Sequence, residues 1–186
     1  MDGLLLERLP VPGLPPRLRI DVGEHRAVVV ANAANARHCA DLIAGLEVPP
    51  PDAVVRSGGA VRLVPAEGGL LPHLTVLGNV VHGHTVTHRV TRRAAEEECR
   101  VTAARCGLDD VLDRYPHEIT PGRRRLAGVA RALRAHPAAI VLEDAAGLPT
   151  WGSLLRFDHN PELWSAALLL VATDPARTTG FRHVTD

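Results

Sequence analysis

Short runs rich in Val, Ile and Leu alternate with longer helical stretches along this chain, and that alternation restricts its fold more than any other feature. LRIDV (18–22) and RAVVVAN (26–32) have strand character, and ARHCADLIAGL (36–46) follows with helical periodicity. AVRLVP (60–65), AAIVLED (138–144) and LWSAALLLVATD (163–174) are further strands. The chain from Thr75 to about Leu108 is mostly helical. A second helix through RRRLAGVARALRAH (123–136) carries an apolar stripe of Leu126, Val129, Ala130 and Leu133 and stops at Pro137. Between them EVPPPDAVVRSGG (47–59) is crowded with Pro and Gly and is expected to be loop or turn. Strands alternating with helices specify an α/β fold, a parallel sheet covered on both faces. A length of 186 residues suits a single domain over 1–186.

Charge narrows the chemistry. The chain has 21 basic and 21 acidic residues, and every basic residue other than His is Arg. Lys and Gln are absent altogether, so no mechanism that needs an ammonium group or a Gln amide can operate. A formal net charge of zero gives no electrostatic reason to expect nucleic acid or an acidic membrane surface as partner. AALLLVA (166–172) is too short to span a bilayer, so no direct membrane insertion is expected. The start, MDGLLLERLPVPG, lacks the pattern of a signal peptide. Cys39, Cys99 and Cys106 include no C-x-x-C pair and read as free thiols of a cytoplasmic protein.

Five phrases in a fixed order carry a resemblance: LIAGLEVPP, EGGLLPHLTVLGNV, YPHE, GVARALRAHPAAIVLED and LLLVATDPA. In order and approximate spacing they resemble the ATP-binding subunits of ATP-binding-cassette (ABC) importers, from about Leu18 to Asp186. The resemblance implies a P-loop NTPase-like parallel sheet flanked by helices, with a helical subdomain at about 76–117. It also locates the family's working positions. Counting back from Leu42, the phosphate-binding Lys falls on Ala36, and the loop glycines fall on Val30, Ala33 and Asn35. The Ser/Thr pair falls on Arg37 and His38, and Asn32 is the matching residue. Glycines serve such a loop because they adopt positive φ and aim successive N–H groups at phosphate. Here no glycine occurs between Gly23 and Gly45.

The same comparison places Ala66 where the family has its Gln, and Thr173 where it has the switch His. Glu143 and Asp144 stand where it has Asp then Glu, and read as an ordinary acidic strand end. The signature reads Ile119-Thr120-Pro121-Gly122-Arg123, and Pro121 removes an N–H donor. No aromatic residue precedes Tyr115 to stack on adenine. The resemblance therefore implies an ABC ATPase-like subunit without catalysis, for which neither ATP nor magnesium is expected as cofactor. Its partners would be a transmembrane permease, another ABC ATPase or a second copy of itself. Leu70, Leu71, His73 and Leu74 lie in the stretch that would dock a permease, which would hold the chain on the inner face of the membrane.

Two alternatives stay open. Arg37, with Glu143 and Asp144, could retain nucleotide binding or hydrolysis. His82, His84 and His88 could gather round a metal, since His84 and His88 are four apart, but no carboxylate completes a site and a solvated helix face is expected. Cys99 and Cys106, about two helical turns apart, could share a face. The Arg runs at 92–93 and 123–125 are expected to be surface charge.

Overall fold

The computed structural model describes residues 2–87 and 91–184. Its strands are β1 (Asp2–Glu7), β2 (Arg17–Asp21) and β3 (His25–Val29), after which α1 (Ala33–Ala44) leads to β4 (Val54–Ser57) and β5 (Val61–Val64). Helices α2 (Val76–Thr87), α3 (Arg92–Arg105) and α4 (Pro121–Leu133) follow as one block. The chain returns through β6 (Ala139–Glu143), a one-turn helix α5 (Trp151–Leu154), β7 (Ala167–Ala172) and the short β8 (Arg182–His183). A five-stranded sheet has the order β5-β6-β7-β3-β8, with every pairing parallel. Beside it stands a three-stranded antiparallel sheet, β2-β1-β4.

β6 and β7 show why the central strands read as unbroken apolar runs. Ile140, Leu142, Leu168, Leu170 and Ala172 face the core built with α2, α3 and α4. Ala139, Val141, Ala167, Leu169 and Val171 face a second core built with α1 and the antiparallel sheet. Alternate side chains thus enter opposite layers, and none meets water. Burial of each large apolar side chain stabilises the fold by about 1.5–3 kcal/mol.

The helix ends follow local rules. Asn32 caps α1 by accepting the Asn35 N–H at 2.9 Å, and Gly45 closes it at φ 72°. Thr120 caps α4 by accepting the Arg123 N–H, and Pro121 occupies the first turn where no N–H is required. Gly128 lets α4 press against the turn after β5, since a Cβ there would lie 2.4 Å from the Gly68 carbonyl oxygen. Such a contact admits no side chain.

Several expectations need correction. Val54–Ser57 is a strand despite its Pro- and Gly-rich flanks, because it pairs with Leu4–Glu7. That edge was invisible without β1, whose Leu4 and Leu6 are buried. His84 is buried, not solvated: its Nδ1 lies 3.1 Å from the Arg134 carbonyl oxygen, where α2 packs on α4. Arg125 has no exposed side-chain surface, so the run at 123–125 is not simply surface charge. His82 is exposed, and His88 lies outside the described residues. Cys99 and Cys106 do share the core facing α4, and burial pushes the Cys106 and Cys39 thiols up to about 12.

His25, at the start of β3, stacks on Phe157 with centroids 4.2 Å apart and meets Trp164 at 4.5 Å. Its Nε2 is buried without a hydrogen-bond partner, and burial holds the ring below the ordinary value of 6.5. The unfolded chain therefore takes up this proton first as the pH drops. The contribution of the neutral ring is whole above about pH 6.5 and is lost as the pH falls through the lower folded value. Urea unfolding from pH 7.5 to 5 should show that loss, and His25→Phe should flatten it. An identical slope in the variant would contradict the assignment.

Candidate functional site

The C-terminal ends of β3, β6 and β7 converge beside the start of α1, where open α/β sheets place their ligands. The approach from β3 is short. Val30 continues the sheet by donating to the Ala172 carbonyl at 2.8 Å, and Asn32 already caps the helix. Ala33 to Asn35 lie inside α1, and the Ala36 N–H donates to the Asn32 carbonyl at 3.0 Å. Ala36 itself is buried. No residue from Ala31 to Ala44 has positive φ, so the N–H groups here follow a helix and do not curl into a cradle.

Arg37 projects from the first turn. Its Nε donates to Asp41 at 2.8 Å and its NH1 to Glu143 Oε2 at 3.4 Å, with half of the side chain exposed. The Asp41 hydrogen bond is the main cause that raises the guanidinium above its ordinary value. The same Glu143 oxygen accepts the Ala66 N–H at 3.4 Å. Glu143, at the end of β6, thus links α1 to the turn after β5. His38 turns away and pairs with Glu47 at 2.7 Å.

Asp144 is held more firmly. Its backbone N–H extends the sheet to the Val171 carbonyl at 3.0 Å, and its side chain is almost wholly buried. Arg125 of α4 donates to Oδ1 at 3.1 Å, while Arg177, after β7, donates to both carboxylate oxygens. Arg177 also reaches the Ala145 and Leu148 carbonyls at 2.8 and 2.9 Å. Arg125 lies 3.9 Å over the Trp151 ring and donates to the Pro149 carbonyl. Trp151 Nε1 donates to the Glu143 carbonyl at 2.9 Å. Burial lowers the Arg125 value, whereas the Asp144 hydrogen bond raises that of Arg177. The expected acidic strand end is therefore an internal ion cluster that uses up the Asp144 oxygens.

The remaining positions spread around this centre. Thr173 is exposed just past β7, and Thr120 caps α4, whose first turn holds Pro121 to Arg123. Arg123 pairs with Asp110 at 3.2 Å. Leu70, Leu71 and Leu74 are half-buried and His73 is exposed, in a loop held by the buried amide of Asn79. That amide accepts the Leu71 N–H at 2.7 Å and donates to the Leu71, Leu74 and Thr75 carbonyls. Among the described residues no three His, Cys, Asp or Glu side chains form a group able to hold a metal. Arg125, Arg177, Trp151 and Asn79 escaped the reading of motifs. Arg125 had a signal, since it lies one helical turn before Val129 on the buried stripe of α4; Arg177 had none.

Comparison with known proteins gives a consistent picture. No family model matches the chain. It is 29% identical over 142 residues to the Fe(3+) ions import ATP-binding protein FbpC of Yersinia pestis, covering 68% of this chain and 40% of that protein. It is 33% identical over 130 residues to the molybdate/tungstate import ATP-binding protein WtpC of Archaeoglobus fulgidus, covering 62% of this chain and 52% of that protein. The chain thus spans about half, or less, of the length of these relatives. Among solved structures, cbiO1 from Clostridium perfringens, part of the ABC transporter complex cbiONQ, superposes with a TM-score of 0.73 at 17% identity, covering 94% of this chain and 80% of that one. The dimeric ATP-binding cassette MJ0796, bound to ADP and Pi, gives 0.69 at 15% identity, covering 94% and 89%. The fold is that of ABC ATPase domains, and the similar sequences are importer ATP-binding subunits.

Removing one member of a buried ion cluster leaves its partners uncompensated, a loss of about 3–5 kcal/mol. Asp144→Asn should lose that much in urea unfolding. Adding Arg125→Met should restore part of it, because one fewer buried guanidinium then lacks a counter-charge. Two losses that simply add would contradict the pairing.

Proposed function

We propose that this chain is an ABC ATPase-like subunit that does not hydrolyse ATP and acts through contacts with a permease or a partner ATPase. One observation carries the reading. At the position of the phosphate-binding Lys stands Ala36, buried in the first turn of a helix that starts at Ala33, in a chain without Lys. Phosphoryl transfer depends on positioning and on electrostatic stabilisation of the transferred group. Neither a cradle of N–H groups nor an ammonium group is present to supply them. The acids that would hold magnesium and activate water have other partners, Glu143 with Arg37 and Asp144 with Arg125 and Arg177. Ala66 and Thr173 offer neither an amide nor an imidazole. Pro121, at the opening of α4, has no N–H to present to a nucleotide across a dimer.

What remains intact is a framework with a surface. The sheet, the helical block and the Asn79-braced loop 70–75 are all formed. Among the described residues no helix is long and apolar enough to cross a membrane. A peripheral subunit on the cytoplasmic side, held by a permease, fits these features. The similarity to importer ATP-binding proteins supports a permease as partner, and MJ0796, a dimer in its structure, suggests a second cassette as the other candidate.

A second reading keeps nucleotide binding, because Arg37 is half exposed beside Glu143 and offers a guanidinium to phosphate. Release of inorganic phosphate from magnesium ATP separates the two. The purified chain should release none above buffer, alone or with a recovered permease. Turnover abolished by Arg37→Ala would overturn the first reading in favour of the second. Leu74→Asp, in the loop before α2, should reduce recovery of the permease while leaving the fold intact.

A further inference from the structure

A cavity of about 780 Å3 opens between the end of α3, the start of α4 and the segment 149–163. That size is in the range of small-molecule sites, roughly 300–1,000 Å3. We propose that it binds an aliphatic organic anion, an acidic head on an alkyl body. The lining has two kinds of surface. Leu155 and Leu163 are buried, and Leu126 and Leu154 are half-buried, so an aliphatic wall lies on the inner side. Arg105, Arg156 and His159 are exposed and Arg123 half-buried, which places the cationic groups towards solvent.

Charge selects the head. No carboxylate lines the cavity. Two of the guanidinium groups have counter-charges outside it, Arg105 with Glu162 at 2.6 Å and Arg123 with Asp110 at 3.2 Å. Arg156 makes no ion pair among the described residues, so the cavity keeps an excess positive charge. A guanidinium fork matches carboxylate and phosphate oxygens alike.

The wall selects the body. Apart from the His159 imidazole no aromatic ring lines the cavity, so a nucleobase would find little on which to stack. Four leucines and Ala104 offer what an alkyl chain requires, contact without direction. The same wall disfavours bare inorganic phosphate, which would leave it in contact with water. Head and body must come on one molecule.

Titration calorimetry with decanoate and decyl phosphate, each below its micelle concentration, tests the proposal on the whole chain. At least one of the two should bind roughly tenfold more tightly than decanol and inorganic phosphate, a difference of about 1.4 kcal/mol. Arg156→Glu should weaken that binding by a similar factor with an unchanged melting temperature, and Arg156→Lys should largely retain it. Ala104→Leu, which takes volume from the apolar wall, should weaken the alkyl anions without affecting Arg156. Decanol binding as tightly as the acids would overturn the proposal, as would indifference to Arg156→Glu, binding of neither acid, or displacement of the acids by ATP. These readouts do not depend on whether the chain hydrolyses ATP.

Discussion

Asp144 is the point at which the parts of this molecule are tied together. It continues β6, takes a hydrogen bond from Arg125 in α4, and is gripped by Arg177 from the turn after β7. Helical block, central sheet and the segment after the last long strand therefore meet on one carboxylate. Neither oxygen faces water, so each charge depends on the others. Removing a member costs more than forming the pair contributes, because an ion stranded in a low-dielectric interior has no solvent to fall back on. Trp151 completes the arrangement, covering the Arg125 plane with its ring and donating to Glu143. The ion cluster stiffens the strand end where a nucleotide site would need room for a metal and a moving phosphate.

The neighbouring Glu143 is occupied in a different way. Arg37 reaches it from α1 over half-exposed ground, where solvent weakens the attraction. This contact can open, whereas the Asp144 cluster cannot without disturbing the core. Helix α1 adds the stronger constraint. Starting at Ala33, it gives the Asn35 N–H to the Asn32 side chain and the Ala36 N–H to the Asn32 carbonyl, and no residue with positive φ turns its neighbours into a phosphate cradle. On the proposed reading, side chains and backbone geometry together close the front of the sheet, and the loop before α2 and the cavity beside α4 are the surfaces left for partners.

Much of this could be read from the sequence. Central strands announced themselves as apolar runs because both of their faces are buried, and α4 did so through its stripe. The spacing of the five phrases pointed to positions from Asn32 to Thr173, which lie at strand ends and at the start of α1. The hidden parts share one cause: their partners are distant in sequence. β4 is a strand only because β1 lies beside it, and neither has composition enough to declare itself alone. Arg125 looked like one of three solvated arginines, yet its helical position turns it inwards, 19 residues before Asp144. His84 was misjudged for the same reason, since the packing of α2 on α4 buries the helix face that carries it.

The closed strand-end site is most directly tested by calorimetric melting of the purified chain with and without millimolar magnesium ATP. A ligand that binds only the folded state adds about 2.7 kcal/mol to stability at a hundred times its dissociation constant, which a melt would register plainly. With the site filled by Arg37, Glu143 and the Asp144 cluster, the melting temperature should not move. A rise of several degrees that requires magnesium and vanishes in Arg37→Ala would contradict this, and would place a nucleotide where the side chains now meet.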